Sequence, residues 1–275
     1  MGHRGVTVET IQTSPIENPI YSVVIPIRDR YEYMLRNCLR SIELQTLDPI
    51  ELIIVDYGST QENHEKLLET LPKCTVYRYE TDEPWSLARA RNIGLRRATA
   101  PISCALDADL IMGVKALEYA YHTHQTYPNT YQTTQVVLLG KGAIEPASIE
   151  LPRDYVKMLT DKSNYLSEGW GGFTSAETSW WHRCRGFDER LLVWGWEDVD
   201  MWKRAVRGDM SRFRLINKLI VGTIIYHQYH ENVQLKALQD AEDNVLKAIK
   251  NNEHITKRSG GVVRNDENWG LWSED

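Results

Sequence analysis

The chain predicts an α/β fold in which a mostly parallel, twisted sheet is flanked by helices, and three observations carry that prediction. Short β-branched runs alternate with segments of helical apolar spacing from Tyr21 to Leu106. The runs end in polar residues, and in an open sheet of this kind ligands lie beyond the carboxyl ends of the strands. Apolar residues make up 42% of the 275 positions, enough for one large core or two small ones.

Each element follows in order. After a polar lead over 1–18, "YSVVIPI" (Tyr21–Ile27) reads as a strand, bounded by charges and carrying Pro26 near its end. "EYMLRNCLRSIELQTL" (32–47) has its apolar residues at helical spacing, and "IELIIVDYGST" (50–60) is the next strand. A helix over His64–Leu71, a strand over Cys74–Tyr79, a helix over Ser86–Ala98 and a strand over Ile102–Leu106 continue the alternation. The second half is less regular. It predicts a helix over Val114–His124, a strand "TQVVLL" (134–139), a proline-containing segment through Ser167, a glycine- and tryptophan-rich region, and an apolar strand "LIVGTIIYH" (219–227). A charged helix over Val233–Lys250 packs on the body through Leu235, Leu238, Val245, Leu246 and Ile249, and a polar tail follows. No internal repeat or low-complexity segment is present.

A net charge of −6 argues against holding bulk nucleic acid by electrostatics. Cys38, Cys74, Cys104 and Cys184 are scattered without a CxxC pair, so they read as reduced, buried thiols rather than a zinc site or disulfide framework. The first residues lack the apolar stretch of a secretory leader, and no run approaches the roughly 18 residues of a membrane span. A cytoplasmic protein is the expectation.

Chemistry gathers at the strand ends. "CALDADLIM" places Asp107 and Asp109 after an apolar strand, and strand alternation would point both carboxylates to one side, where hard oxygen ligands hold a divalent cation. The first strand ends in Pro26, Arg28, Asp29 and Arg30, the second in Asp56 and Tyr57, and "WSLARARNIG" carries Arg89, Arg91 and Asn92 toward the Asp107–Asp109 strand. Together they supply acceptors for the N–H groups of a base, an aromatic face, and guanidinium groups for a diphosphate. Further on, "VWGWEDVDMWKR" sets Trp196 directly against Glu197 and Asp198. A sugar has an apolar C–H face and a polar rim, so indole beside carboxylate matches both surfaces of one ligand. The same two acids also suit the N-terminus of the helix they open, where the dipole favours anions.

These motifs resemble the GT-A fold nucleotide-sugar glycosyltransferases, in which "VDDGS", "ARNxG" and D-x-D occur in this order. Here Tyr57 stands where the second Asp usually does. The stretch "GWGGFTSAETSWWHRCRGFDERLLVWGWEDVDMWKR" is similar to the G-G … G-F-D-E … W-G-G-E-D-V-E segment of the galactosyltransferase-like branch, which includes bacterial chondroitin and hyaluronan synthase domains and β-galactosyltransferases. "IIYHQYH" is similar to the "YHQ" that ends their last core strand. The likeness runs from Tyr21 to His230. It implies a single domain, with a nucleotide-sugar-binding half over 19–112, an acceptor half over 113–230, and a C-terminal helix and tail over 231–275.

The resemblance further implies a metal-dependent hexosyl transfer from a UDP-sugar to a carbohydrate hydroxyl. Asp109 and His227 would hold Mn2+ or Mg2+, with Asp107 toward the ribose or the water shell of the metal and His230 as the reserve ligand. Trp170, Gly171, Gly172 and Trp196 would line the acceptor side, where Trp196 replaces a glycine of the family. Asp198, beside Glu197, would be the base of an inverting reaction, and a loop near 169–172 would exclude water. Asp200 reads as an ion pair with Arg204 four residues on, and Trp180, Trp181 and Trp202 as core. Two readings compete: a carbohydrate-binding protein on a degenerate transferase fold, and a retaining transferase of related fold. A nucleotidyltransferase would want a glycine-rich phosphate loop, which "IPIRDRYEY" lacks.

Overall fold

The structure, a computed structural model, describes residues 8–12, 16–30, 33–141, 143–144, 158, 165–166, 171–215, 222–230 and 243–271. The first half contributes β1 (Val8–Gln12), β2 (Tyr21–Ile27), α1 (Tyr33–Glu43), β3 (Ile50–Tyr57), α2 (Gln61–Leu68), β4 (Thr75–Tyr79), α3 (Leu87–Arg97), β5 (Ile102–Leu106) and β6 (Leu110–Met112). The second contributes α4 (Ala116–Thr126), β7 (Thr130–Thr134), β8 (Val137–Leu138), β9 (Tyr165–Leu166), β10 (Phe173–Glu177), α5 (Thr178–Cys184), α6 (Glu197–Arg207), β11 (Ser211–Leu215), β12 (Ile225–His227) and α7 (Asp243–Arg258).

The main sheet runs β1-β4-β3-β2-β5-β10-β7-β11. β4, β3, β2 and β5 are parallel, as the alternation predicts, and β11 is parallel to β7. β10 runs antiparallel to both of its neighbours. Side chains of β2 alternate between two cores. Val23 and Ile25 pack with Leu35 and Leu39 of α1, whereas Val24 packs with Ile93 of α3. A Cβ on Gly94 would fall 2.3 Å from Val24 Cγ1, so this glycine is what lets α3 lie close on the sheet.

Several expectations need correction. Within the lead, β1 pairs antiparallel with β4. β7 and β10 were not expected, because their sequences, "TYQTT" and "FTSAE", are polar where an apolar period was sought. Both are nevertheless buried, and some of their polar groups bond internally: Gln132 Nε2 donates to Ala120 O at 3.1 Å, and Ser175 Oγ meets Tyr21 OH at 2.6 Å and His124 Nε2 at 2.9 Å. The last helix lies later than Val233–Lys250, at α7; Leu235 and Leu238 fall outside the described residues, while Val245, Leu246 and Ile249 are half-buried.

Nor is the tail merely polar. Trp269 is buried, and Arg96 donates to Glu267 O and Trp269 O at 2.8 and 2.7 Å. The four cysteines are buried and form no disulfide. Among the described residues no helix is long and apolar enough to cross a membrane.

Candidate active site

In a parallel sheet ordered β4-β3-β2-β5, the chain leaves β2 in one direction for β3 and reaches β5 on the other side. The crevice lies beyond the carboxyl ends of these two neighbours. Arg28, Asp29 and Arg30 follow β2 there, and Asp107 and Asp109 follow β5. The D-x-D triplet is a turn rather than strand, closed by Leu110 N donating to Asp107 O at 3.1 Å. Strand alternation therefore does not orient the two acids, and each has its own set of partners.

Asp109 faces the histidines. His227 Nε2 lies 3.8 Å from its Oδ1, His230 Nε2 lies 3.4 Å from its Oδ2, and Arg30 Nη1 lies 3.2 Å from Oδ2. Burial alone would raise its pKa, but His230, His227 and Arg30 outweigh that and hold the carboxyl well below the usual range. β12 brings the histidines here by pairing with β6, His227 opposite Leu110. Gln228 locks that register: its backbone N–H donates to Asp109 O at 3.0 Å, and its side chain reaches Met34 O and Asn37. Asp109, His227 and His230 can bring one ligand atom each within 4.8 Å of one another. His230, the reserve ligand, thus stands beside His227 rather than behind it, and Asp107 is not in this set.

Asp107 turns to Arg91. The guanidinium is fully buried, with Nη2 2.6 Å from Asp107 Oδ1 and 3.1 Å from Gly171 O, and Nη1 3.6 Å from Glu197 Oε1. Arg91 was expected to meet a diphosphate, but it links the two acidic motifs from beneath. Asp107 stands raised because desolvation and Asp109 outweigh Arg91.

The other strand-end residues are more enclosed than expected. Pro26 is buried in β2 opposite Val55. Asp56 is fully buried, one oxygen 2.6 Å from His64 Nδ1 and the other accepting from Ser59 N at 3.2 Å. Tyr57 is equally buried, stacked on Tyr79 with centroids 5.0 Å apart and edge-on to Trp85. It presents no open aromatic face, and burial pushes its pKa up to about 12. Arg28 reaches over Gly58 to donate to Glu83 O at 2.7 Å.

Across the crevice, α6 opens with Glu197 and Asp198. Asp198 Oδ1 accepts from Val199 N at 2.8 Å and so satisfies one first-turn N–H of its own helix, while the N-cap residue Trp196 makes no side-chain bond. Burial raises Glu197 to about 7, with Arg91 opposing and Asp198 adding to the rise. Gly171 and Gly172 run between the two acidic motifs: a Cβ on Gly171 would lie 2.9 Å from Asp198 Cβ, and one on Gly172 would lie 3.4 Å from Asp107 Oδ2. Gly171 is thus needed for close approach of the chain. Trp170 lies outside the described residues.

The loop before α6 holds Val193, Gly195 and Trp196 at φ of +60°, +94° and +74°. A β-branched valine there is a genuine outlier, and the glycine that the family carries at 196 suits that backbone without strain. Trp196 is half-buried, with Lys257 Nζ 5.7 Å from its ring. Behind the loop, Asn92 joins "ARN" to "GFDE": its Nδ2 donates to Phe187 O and Glu189 Oε1, and its Oδ1 accepts from Phe187 N. Asp200 pairs with Arg204 at 3.3 Å, buried rather than on a solvated face, and Arg264 joins them. Trp180 and Trp181 are core, and half-buried Trp202 lies under Arg212. Sequence reasoning missed Gln228, Arg264 and Asn252. Gln228 alone had a signal, as the last letter of "YHQ".

A nucleotide-type α/β sheet with a cation-competent acid at its switch point, facing an acidic helix start, is the class that fold and site define. The chain belongs to glycosyl transferase family 2, which matches residues 22–191. Residues 158–231 also match the family described as N-terminal domain of galactosyltransferase. Validoxylamine A glucosyltransferase of Streptomyces hygroscopicus subsp. limoneus is 25% identical over 219 residues, covering 68% of this chain and 48% of that protein. The homologue from subsp. jinggangensis has the same identity, with 51% of its length covered. The chain thus spans about half the length of these relatives. Among solved structures, S. aureus TarS 1-349 in complex with UDP-GlcNAc superposes with a TM-score of 0.55 at 15% identity, covering 77% of this chain and 59% of that one. The same protein with UDP gives 0.54 at 14%, covering 76% and 60%. At such identity the likeness is one of fold.

Proposed function

We propose that the chain transfers a sugar from a UDP-sugar to a hydroxyl of a carbohydrate acceptor, with inversion and with a divalent cation on the donor diphosphate. The observation that carries this reading is the convergence of Asp109, His227 and His230 at the switch point, across Gly171 and Gly172 from Asp198. Family membership and the UDP-sugar relatives support the transfer itself.

The donor set fits a metal. Asp109 Oδ1 is buried without a hydrogen bond, and a carboxylate with two imidazoles suits Mn2+ better than Mg2+, which prefers oxygen. Bound there, the cation would neutralise charge on the leaving UDP. Arg30, beside Asp109 and a third exposed, is placed to add a cationic contact to the diphosphate. Asp107 is oriented by Arg91 and faces the same crevice. Asp198 takes the proton of the acceptor hydroxyl late, as the new bond forms. Glu197, raised to about 7 by burial, orients that hydroxyl, and Trp196 stacks on a sugar face.

A screen of UDP-sugars for UDP release with Mn2+, followed by mass spectrometry of the product, tests the reading. Release that grows with a carbohydrate acceptor supports it. UDP-sugar binding without turnover on any acceptor would favour a carbohydrate-binding protein instead.

A further inference from the structure

α7 lies beyond both matched regions, and one of its side chains enters the loop that precedes Glu197 and Asp198. Asn252 is fully buried. Its Oδ1 accepts from Leu192 N at 3.1 Å, while its Nδ2 donates to Leu192 O at 2.8 Å, Gly195 O at 3.1 Å and Trp194 O at 3.4 Å. Opposite it, the start of α3 holds the same loop: Val193 N donates to Trp85 O at 2.7 Å, Leu87 N to Val193 O at 3.0 Å, and Ser86 Oγ to Leu191 O at 3.0 Å.

Left-handed residues turn their peptide groups out of any helix or strand ladder, so these carbonyls need partners from elsewhere. Only a carboxamide offers a donor pair and an acceptor in one side chain, and Asn252 uses both. We infer that Asn252 is a positioning residue for the acceptor side: by fixing the carbonyls of Leu192, Trp194 and Gly195 it sets the strained loop, and with it the direction of the Trp196 ring and of the first turn of α6. This rests on the reading of that loop as the acceptor subsite. Lys257, one and a half turns further along α7, lies over the Trp196 ring and extends the same contact.

Asn252→Ala and Asn252→Asp in the full chain test it. The Asp variant is nearly isosteric and keeps the acceptor for Leu192 N, but sets lone pairs against three carbonyls. Amide hydrogen exchange over 192–199 should quicken at least about tenfold while exchange over 104–112 stays unchanged. UDP affinity with Mn2+ and acceptor-free hydrolysis of the UDP-sugar should stay within about twofold, and KM for the acceptor should rise about tenfold or more with a smaller change in kcat. Unchanged loop exchange and acceptor KM would overturn the inference. So would a proportional loss of UDP binding, hydrolysis and transfer, or failure of both variants to fold, since each marks a general structural role. If the parent chain transfers to no acceptor, the functional reading fails, and the exchange comparison still decides whether Asn252 holds the loop.

Discussion

Arg91 Nη2 and Asp107 Oδ1 meet at 2.6 Å beneath the crevice, and the same guanidinium reaches Gly171 O and the neighbourhood of Glu197. One buried fork thus serves both acidic motifs, an arrangement that an ammonium cannot reproduce. Arg91→Met, which takes the charge away from Asp107 and Glu197, should lower the free energy of unfolding by about 3 kcal/mol, the usual scale for breaking a buried ion pair. Urea unfolding of the purified variant measures this, and a loss near zero would mean that the pair is solvated.

Removal of any one of Asp109, His227 and His230 by alanine should weaken UDP binding in Mn2+ by at least about tenfold, since even partners of metal ligands cost that much. Titration calorimetry with and without chelator checks it. The resemblance favoured His227 over His230, whereas the geometry places both beside Asp109. An unaltered affinity in His230→Ala would restore the narrower assignment.

Asp198→Asn retains the oxygen that accepts from Val199 N but cannot take a proton. Transfer should therefore fall by roughly two to four orders of magnitude with UDP binding intact. Near-parental turnover of a well-folded variant at saturating acceptor would reduce Asp198 to a partner of that N–H.

Position 196 offers a paired comparison, because its φ is +74°. Trp196→Ala and Trp196→Gly remove the same ring, yet only glycine relieves the backbone. The Gly variant should be more stable than the Ala variant by about 1 kcal/mol in chemical unfolding. Both should share an altered acceptor profile in a glycan-array transfer assay. Equal stabilities would show that the loop relaxes on losing the indole.

His124 is buried against Ser175 and Thr130, and burial pushes its pKa down to about 4. Its unfolded value is near 6.5, so below that pH the unfolded chain binds a proton that the folded chain refuses. Stability from this group is complete above pH 6.5 and declines as pH falls toward 4, by about 3 kcal/mol in all. Unfolding of the parent and of His124→Gln at pH 4 and 7 isolates this effect: the advantage of the parent should shrink on acidification.

Much of the first half was legible, because its strands are apolar and its helices periodic, and the order of strand ends located Asp107, Asp109 and Arg30. Partnership was harder to read. An arginine near two acids announces a charge contact without saying whether a ligand or the protein will take it, and Arg91 is taken by Asp107 and Gly171 O. Asp56 and Tyr57 sit at a strand end, where ligands bind, but His64 and Tyr79 enclose them through contacts that the motif does not encode. β7 and β10 escape because buried threonine, glutamine and serine look like loop in one dimension. The left-handed Trp196 was visible as a departure from glycine, but its backbone strain was not.

Arg264 reaches Asp200, and Asn252 reaches Gly195, only after more than a hundred residues beyond β5 have been synthesised. Translation releases the parallel strands first, since β2 to β5 are complete by residue 106. A nascent chain therefore carries the turn of Asp107 and Asp109 well before the loop ahead of Glu197 is braced. Stalling before residue 252 would leave a molecule whose loop ahead of Glu197 is held from the α3 side alone.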